Sequence, residues 1–290
     1  WDAKTEFNPY CDPNTNQQTD RFGLKCYSPQ NYDGFFRGQI SLKESLAQSI
    51  NLTSVKLLYL SGVRDSIKTA SDAGITTLTD PDRYGLSLVL GGGEIRLLEM
   101  VSGYGVFATD GFAVPATGIL KIEDANSRVI EENKKSLKRV LDTESARMIN
   151  EILSDNQARV PIFGPNSVLY FPNYQVAAKT GTTQDFKDGW TIGYTPSIVT
   201  GVWVGNNNNT PISREPGIVL AGPIWRKYME KALSKYSEQE FKKPAIALTG
   251  NPILDGNKEE TREHSILHYV NKSNPLAPLL ENPANDPQYP

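Results

Sequence analysis

The chain has 290 residues, 38% of them hydrophobic and 22% charged, with a formal net charge of −3. That length can bury a sizeable core in one large or two ordinary domains. The slight acidity and the lack of a Lys/Arg run exclude a basic nucleic-acid surface, and no apolar stretch approaches the roughly 18 residues that would span a bilayer.

Residues 1–37 read as loop and turn, punctuated by Asn8-Pro9, Asp12-Pro13, Ser28-Pro29 and Asp33-Gly34. Cys11 and Cys26 are the only cysteines. They flank a polar loop that a disulfide could close in an oxidising compartment, with two free thiols as the alternative. Ser41-Leu42-Lys43-Glu44 has the capping-box form and predicts a helix start. Leu42, Leu46 and Ile50 then recur at helical spacing, and a second run from Val55 continues to Ser61-Gly62. Ser49-Ile50-Asn51 falls at the joint, where Ser and Asn side chains compete with helical backbone bonds, so a break is expected.

Gly91-Gly92-Gly93 precedes Glu94 to Val101, a helix signal. Neither G-x-G-x-x-G nor G-K-[ST] is present, so the glycines read as a tight turn. The Gly-rich and β-branched region from Tyr104 to Ile130 reads as short strands, with turns at Asp110-Gly111 and Asp124-Ala125-Asn126. Asp142 or Thr143 caps a helix from Glu144 to Leu153. Residues 174–183, Gly189 to Tyr194 and Ile198 to Gly205 supply three successive antiparallel strands, and Gly222 to Leu233 follows as a helix with Pro near its start. Helices gathered around one antiparallel sheet give an α+β fold. From about Ser237 the chain is polar and proline-bearing and reads as an extended tail. His264 and His268, the only histidines, are spaced i,i+4 and read as a solvated pair; no metal or cofactor is expected.

Within the first of the three strands, Val176-Ala177-Ala178-Lys179-Thr180-Gly181-Thr182-Thr183 is the stretch richest in chemistry. A side-chain period of two puts Lys179 and Gly181 on one face, a cation beside a spot with no side chain to block it. If this strand lies at a sheet edge, its free N–H and C=O groups can pair with an extended peptide. The bland alternative is an ordinary strand entering a Gly-Thr turn.

Ser49-Ile50-Asn51 and Lys179-Thr180-Gly181-Thr182 are similar to the second and third members of the set S-x-x-K, S-D-N and K-T-G that marks penicillin-binding proteins and class A β-lactamases, with Ile50 in place of Asp. In order and context, the stretches Tyr32 to Asn51, Leu90 to Ala108, Lys179 to Gly205 and Ala221 to Trp225 resemble the transpeptidase domain of bifunctional (class A) penicillin-binding proteins. The resemblance covers residues 1–235 and implies a penicillin-binding-protein/serine β-lactamase-like fold, an antiparallel sheet with helices on both faces. Residues 236–290 would be a C-terminal extension.

The resemblance implies a serine that attacks the D-Ala-D-Ala end of a peptidoglycan stem peptide and passes the acyl group to a neighbouring amine. No serine here is followed three positions later by lysine. The nucleophile is therefore expected in a segment upstream of Trp1, which itself carries neither an initiator Met nor a signal-peptide pattern. By resemblance Ser49 would relay a proton, Asn51 would hold the substrate amide, and Lys179 would bias the field toward a carboxylate. Thr180 and Thr182 would bind that carboxylate beside Gly181, with the Thr182 N–H half of an oxyanion hole. Partners implied are stem peptides, β-lactam antibiotics and the missing S-x-x-K segment, at the extracytoplasmic face of the bacterial membrane. A D,D-carboxypeptidase and a non-catalytic binding domain of the same fold are the alternatives.

Overall fold

In the computed structural model, Ser41 opens helix α1 (Leu42–Ala47) through a complete capping box with Glu44. The described residues are 1–245 except Pro13, Asn16, Lys135 and Arg214, and the compact unit they form runs Trp1–Pro244. Helix α1 stops at Gln48 and α2 (Asn51–Ser61) begins after Ile50. Between them Ser49 holds φ +60, a left-handed conformation that costs a non-glycine residue about 1–2 kcal/mol. Gly62 separates α2 from α3 (Val63–Asp72). A short α4 (Pro81–Tyr84), capped by the Asp80 carboxylate, leads into a 3₁₀ turn at Gly85–Leu90.

Helix α5 spans Leu97–Ala108, which corrects two expectations. Its start is later than Glu94 because Glu94 pairs with Arg83 at 2.5 Å and Ile95 packs with Leu78 and Tyr84, holding the chain before Leu97 out of the helix. Its end is later because Tyr104–Ala108 is helical rather than strand: Val106 is fully buried, and packing overrides weak local propensity. Asp110-Gly111 accordingly ends this helix, with Gly111 N donating to Val106 O at 2.8 Å.

Short strands β1 (Phe112–Ala113) and β4 (Lys138–Arg139) pair, as do β2 (Lys121–Glu123) and β3 (Val129–Glu132), the latter pair joined by the expected Asp124 turn. Asp142 caps α6 (Thr143–Ser154), and Asp155 both ends α6 and caps α7 (Asn156–Phe163).

The central sheet contains β5 (Ala177–Thr182), β6 (Asp188–Tyr194) and β7 (Val199–Gly205), antiparallel in the order β5-β6-β7. Helices α8 (Gly217–Leu220) and α9 (Gly222–Leu233) follow. Helices cover both faces. On one, Ala178, Trp225, Met229 and Leu233 form a buried cluster with Leu169 and Phe171, each aliphatic burial contributing about 2 kcal/mol. On the other, Ala177, Tyr194 and Leu153 pack with residues of α5 and α6. Two strand glycines permit this close cladding: a Cβ at Gly193 would lie 2.2 Å from Trp225 Cζ2, and one at Gly201 would lie 2.6 Å from Val101 Cγ2. The buried Tyr194 hydroxyl donates to Asn150 Oδ1 at 2.8 Å, and Asn150 Nδ2 donates to Phe107 O at 2.9 Å, which ties α5 and α6 to the sheet.

Two further features complete the picture. Cys11 and Cys26 are joined in a disulfide, so the free-thiol alternative does not apply. The chain after Ser237 does not leave the domain at once: Phe241 is buried against Tyr194, and its N–H donates to Gln175 Oε1 at 2.8 Å. His264 and His268 lie outside the described residues.

Candidate active site

Among the described residues, strand β5 has a neighbour in the sheet only on its β6 side, with Lys179 opposite Ile192 and Thr180 opposite Thr191. Its other edge carries the Thr180 and Thr182 backbone N–H groups, donors of the kind that an added extended chain can pair with. The pleat puts Ala177, Lys179 and Gly181 on the face shared with α5 and α6, and Ala178, Thr180 and Thr182 on the face of α8 and α9.

At that edge Lys179 Nζ donates to Ser49 Oγ at 2.6 Å and to Thr180 O at 2.8 Å. The bond joins residues 130 apart in sequence. Burial, and secondarily the positive charge of Arg159, lower the Lys179 pKa from 10.5 to about 8. Desolvation disfavours the charged ammonium, and a nearby like charge does the same. Arg159 is itself buried, its guanidinium donating to Leu153 O and Leu169 O, and burial brings its own pKa down to about 10.

Ser49 thus presents an oxygen to a cation while keeping a proton to give, and the left-handed backbone turn points it there. Asn51, at the first turn of α2, is engaged from the N-terminal loop, its Nδ2 donating to Gln30 O at 3.0 Å. Thr182 Oγ1 accepts from Gly217 N at 2.8 Å, which leaves the Thr182 hydroxyl proton free to donate elsewhere. The β5–β6 turn is locked by Asp188, whose carboxylate accepts from Thr183 Oγ1 at 2.7 Å and from Trp203 Nε1 at 2.8 Å.

Of the residues singled out in sequence, Ser49 and Lys179 meet directly, with Gly181 on the Lys179 face of the strand. Thr180 and Thr182 lie along the same strand on its opposite face, and Asn51 follows two residues after Ser49. Sequence reasoning missed Arg159, which carries no local signal beyond being one basic residue in α7, and Asp188, an isolated acid before a strand.

An edge strand whose Lys179 meets Ser49 of the α1–α2 turn, on a sheet clad by helices on both faces, is the arrangement of the penicillin-binding fold. Penicillin-binding protein 1A from Haemophilus influenzae superposes on 84% of this chain and 40% of its own with TM-score 0.69 at 23% identity. PonA1 of Mycobacterium tuberculosis, solved in complex with penicillin V, superposes on 76% of this chain and 63% of its own with TM-score 0.65 at 27% identity. The family described as the penicillin binding protein transpeptidase domain matches residues 10–230, and the chain belongs to it. Penicillin-binding protein 1A of Aquifex aeolicus (strain VF5) is 32% identical over 274 residues, 92% of this chain and 35% of the relative. Penicillin-binding protein 2D of Bacillus subtilis (strain 168) is 34% identical over 236 residues, 79% of this chain and 33% of the relative. The chain spans about a third of the length of these curated relatives.

Proposed function

We propose that this chain forms one wall of the acyl-transfer cleft of a peptidoglycan D,D-transpeptidase, opposite a serine carried on an S-x-x-K segment outside the 290 residues. The contact between Lys179 Nζ and Ser49 Oγ supports the reading most directly, because it couples the two motifs that family resemblance names.

A serine hydroxyl is a weak nucleophile and needs a base and a trap for developing charge. In this reading the attacking serine gives up its proton, bonds to the penultimate D-Ala carbonyl, and D-alanine leaves with a proton relayed through Ser49. An acceptor amine on a neighbouring stem peptide then attacks the acyl-enzyme and frees the serine. Thr182 N–H stabilises the tetrahedral oxyanion. Thr180 and Thr182 hydroxyls and the Lys179 charge hold the terminal carboxylate, with Asn51 on the substrate amide. β-Lactams would enter the same cleft; PonA1, 27% identical to this chain, is solved in complex with penicillin V. The parent protein would also be a glycosyltransferase anchored on the outer side of the bacterial membrane, and a disulfide suits that oxidising compartment.

The test is product analysis with the full-length protein and a D-Ala-D-Ala donor peptide, with and without an acceptor amine. Cross-linked product with release of D-alanine is expected. Hydrolysis alone in the presence of acceptor would make the protein a D,D-carboxypeptidase, and no turnover with intact peptide binding would make it a non-catalytic binding domain.

A further inference from the structure

Helix α2 begins at the turn that carries Ser49, yet its N-cap is Ile50, whose side chain has no oxygen to accept a first-turn N–H. Those N–H groups need partners outside the helix, and lack of a capping side chain destabilises the helix start. The acceptor arrives from 21 residues upstream: Leu52 N donates to Asn31 Oδ1 at 3.1 Å. Beside it, Gln30 O takes the Asn51 side-chain amide. Asn31 is 5% exposed, and its own amide is fully engaged, donating to both carboxylate oxygens of Asp2 at 2.9 Å and to Phe35 O at 2.7 Å. Asp2 is completely buried. It also accepts from Arg37 N at 2.9 Å, with Arg37 Nη1 3.8 Å away. One turn further along α2, Lys56 Nζ donates to Trp1 O at 2.8 Å.

We propose that Asn31, backed by Asp2, is a positioning residue of the cleft: it supplies across the chain the cap that Ile50 lacks, and so fixes the turn Ser49-Ile50-Asn51 against Lys179. The proposal rests on the acyl-transfer reading above. A left-handed residue such as Ser49 persists only where its surroundings over-determine it, and the Asn31 side chain pins the residues immediately after it. Burial makes the arrangement costly to lose, because removing Asn31 leaves the Leu52 N–H without its acceptor and the Asp2 carboxylate with Arg37 alone. Displacement of reacting groups by about 1 Å can lower a rate roughly 10²-fold. Freeing this turn therefore slows the chemistry and leaves Lys179 and the strand edge in place to bind the ligand carboxylate.

The test is acylation of the full-length protein by fluorescent penicillin, with the saturating rate and the half-saturating concentration measured separately and melting temperatures recorded alongside. Asn31→Ala is expected to lower the saturating rate roughly 10- to 100-fold with little change in half-saturation. Asp20→Ala serves as a stability control: Asp20 accepts from Asn8, Phe22 and Leu24 in the disulfide loop, so it lowers the melting temperature and leaves the rate unchanged. Ile50→Thr in the Asn31→Ala background gives α2 a local capping hydroxyl of similar side-chain volume in place of the acceptor lost from Asn31, and is expected to recover most of the rate. Acylated wild type beside an Asn31→Ala protein of unchanged saturating rate, or a folded Asn31→Ala, Ile50→Thr double variant as slow as Asn31→Ala, overturns the proposal alone. Wild type that takes no penicillin overturns the acyl-transfer reading and this proposal with it.

Discussion

Lys179 and Ser49, 130 residues apart in sequence, meet through one hydrogen bond of 2.6 Å, Nζ donating to Oγ. A buried ammonium is an expensive device for stability, since its lowered pKa records an environment that disfavours the charge. In the proposed acyl-transfer reading its value lies in chemistry. Lys179→Ala is expected to reduce the penicillin acylation rate roughly 10²–10³-fold, the scale of a lost transition-state charge partner, while unfolding free energy drops by less than about 1 kcal/mol. Stopped-flow acylation and urea unfolding read the two quantities, and comparable losses in both would contradict the role.

The same group gives a pH signature. In the unfolded chain Lys179 titrates near 10.5, and in the fold near 8. Below pH 8 both states carry the proton and the full cost of the buried charge is present. Between about 8 and 10.5 the unfolded state holds more protons, so stability rises with pH across that window. Relative to Lys179→Met, the wild type should gain stability from pH 8 to 10.5 and show a constant difference from pH 6 to 7.5. Urea midpoints that move in parallel for both proteins across the window would rule out a depressed Lys179.

Ser49 separates backbone from side-chain effects. Its φ of +60 is a conformation glycine adopts freely. Ser49→Gly should be more stable than Ser49→Ala by about 1 kcal/mol, and both should be equally slow in acylation because both lack the hydroxyl. Thermal unfolding of the two variants side by side checks the first part. Faster acylation in Ser49→Gly than in Ser49→Ala would show that backbone strain, rather than the hydroxyl, limits the rate.

The disulfide Cys11–Cys26 closes a loop of sequence separation 15. A loop of that length confines the unfolded chain by about 3 kcal/mol. Cys11→Ala with Cys26→Ala should therefore lower unfolding free energy by roughly that amount, leaving penicillin acylation within a few-fold of wild type because the loop lies outside the Lys179–Ser49 contact. Chemical denaturation of the double variant and the wild type measures it, and a rate loss beyond the stability loss would place the loop in the cleft.

Much of this architecture could be read locally. Ser41 and Glu44 announce α1 by their spacing, Ser49-Ile50-Asn51 announces a break by its competing side chains, and β5 to β7 announce themselves by β-branched runs around Thr195-Pro196-Ser197. What escaped depends on distant partners. Tyr104–Ala108 is rich in Gly and Val and reads as strand until Val106 is seen fully buried. Helix α7 hides behind Asp155, which looks like the end of α6 and is also the cap of the next helix. In the site, Lys179 and Ser49 were legible through their motifs. Asn31 and Arg159 act through bonds to groups that no short window contains, Leu52 N for one and Leu153 O and Leu169 O for the other.

The most direct measurement is peptide mapping by mass spectrometry of the full-length protein after saturation with penicillin. A single penicilloyl adduct is expected on the serine of an S-x-x-K sequence, formed far more slowly in Lys179→Ala. No adduct at saturating drug, or an adduct on a residue of the 290 described by this sequence, would contradict the acyl-transfer reading.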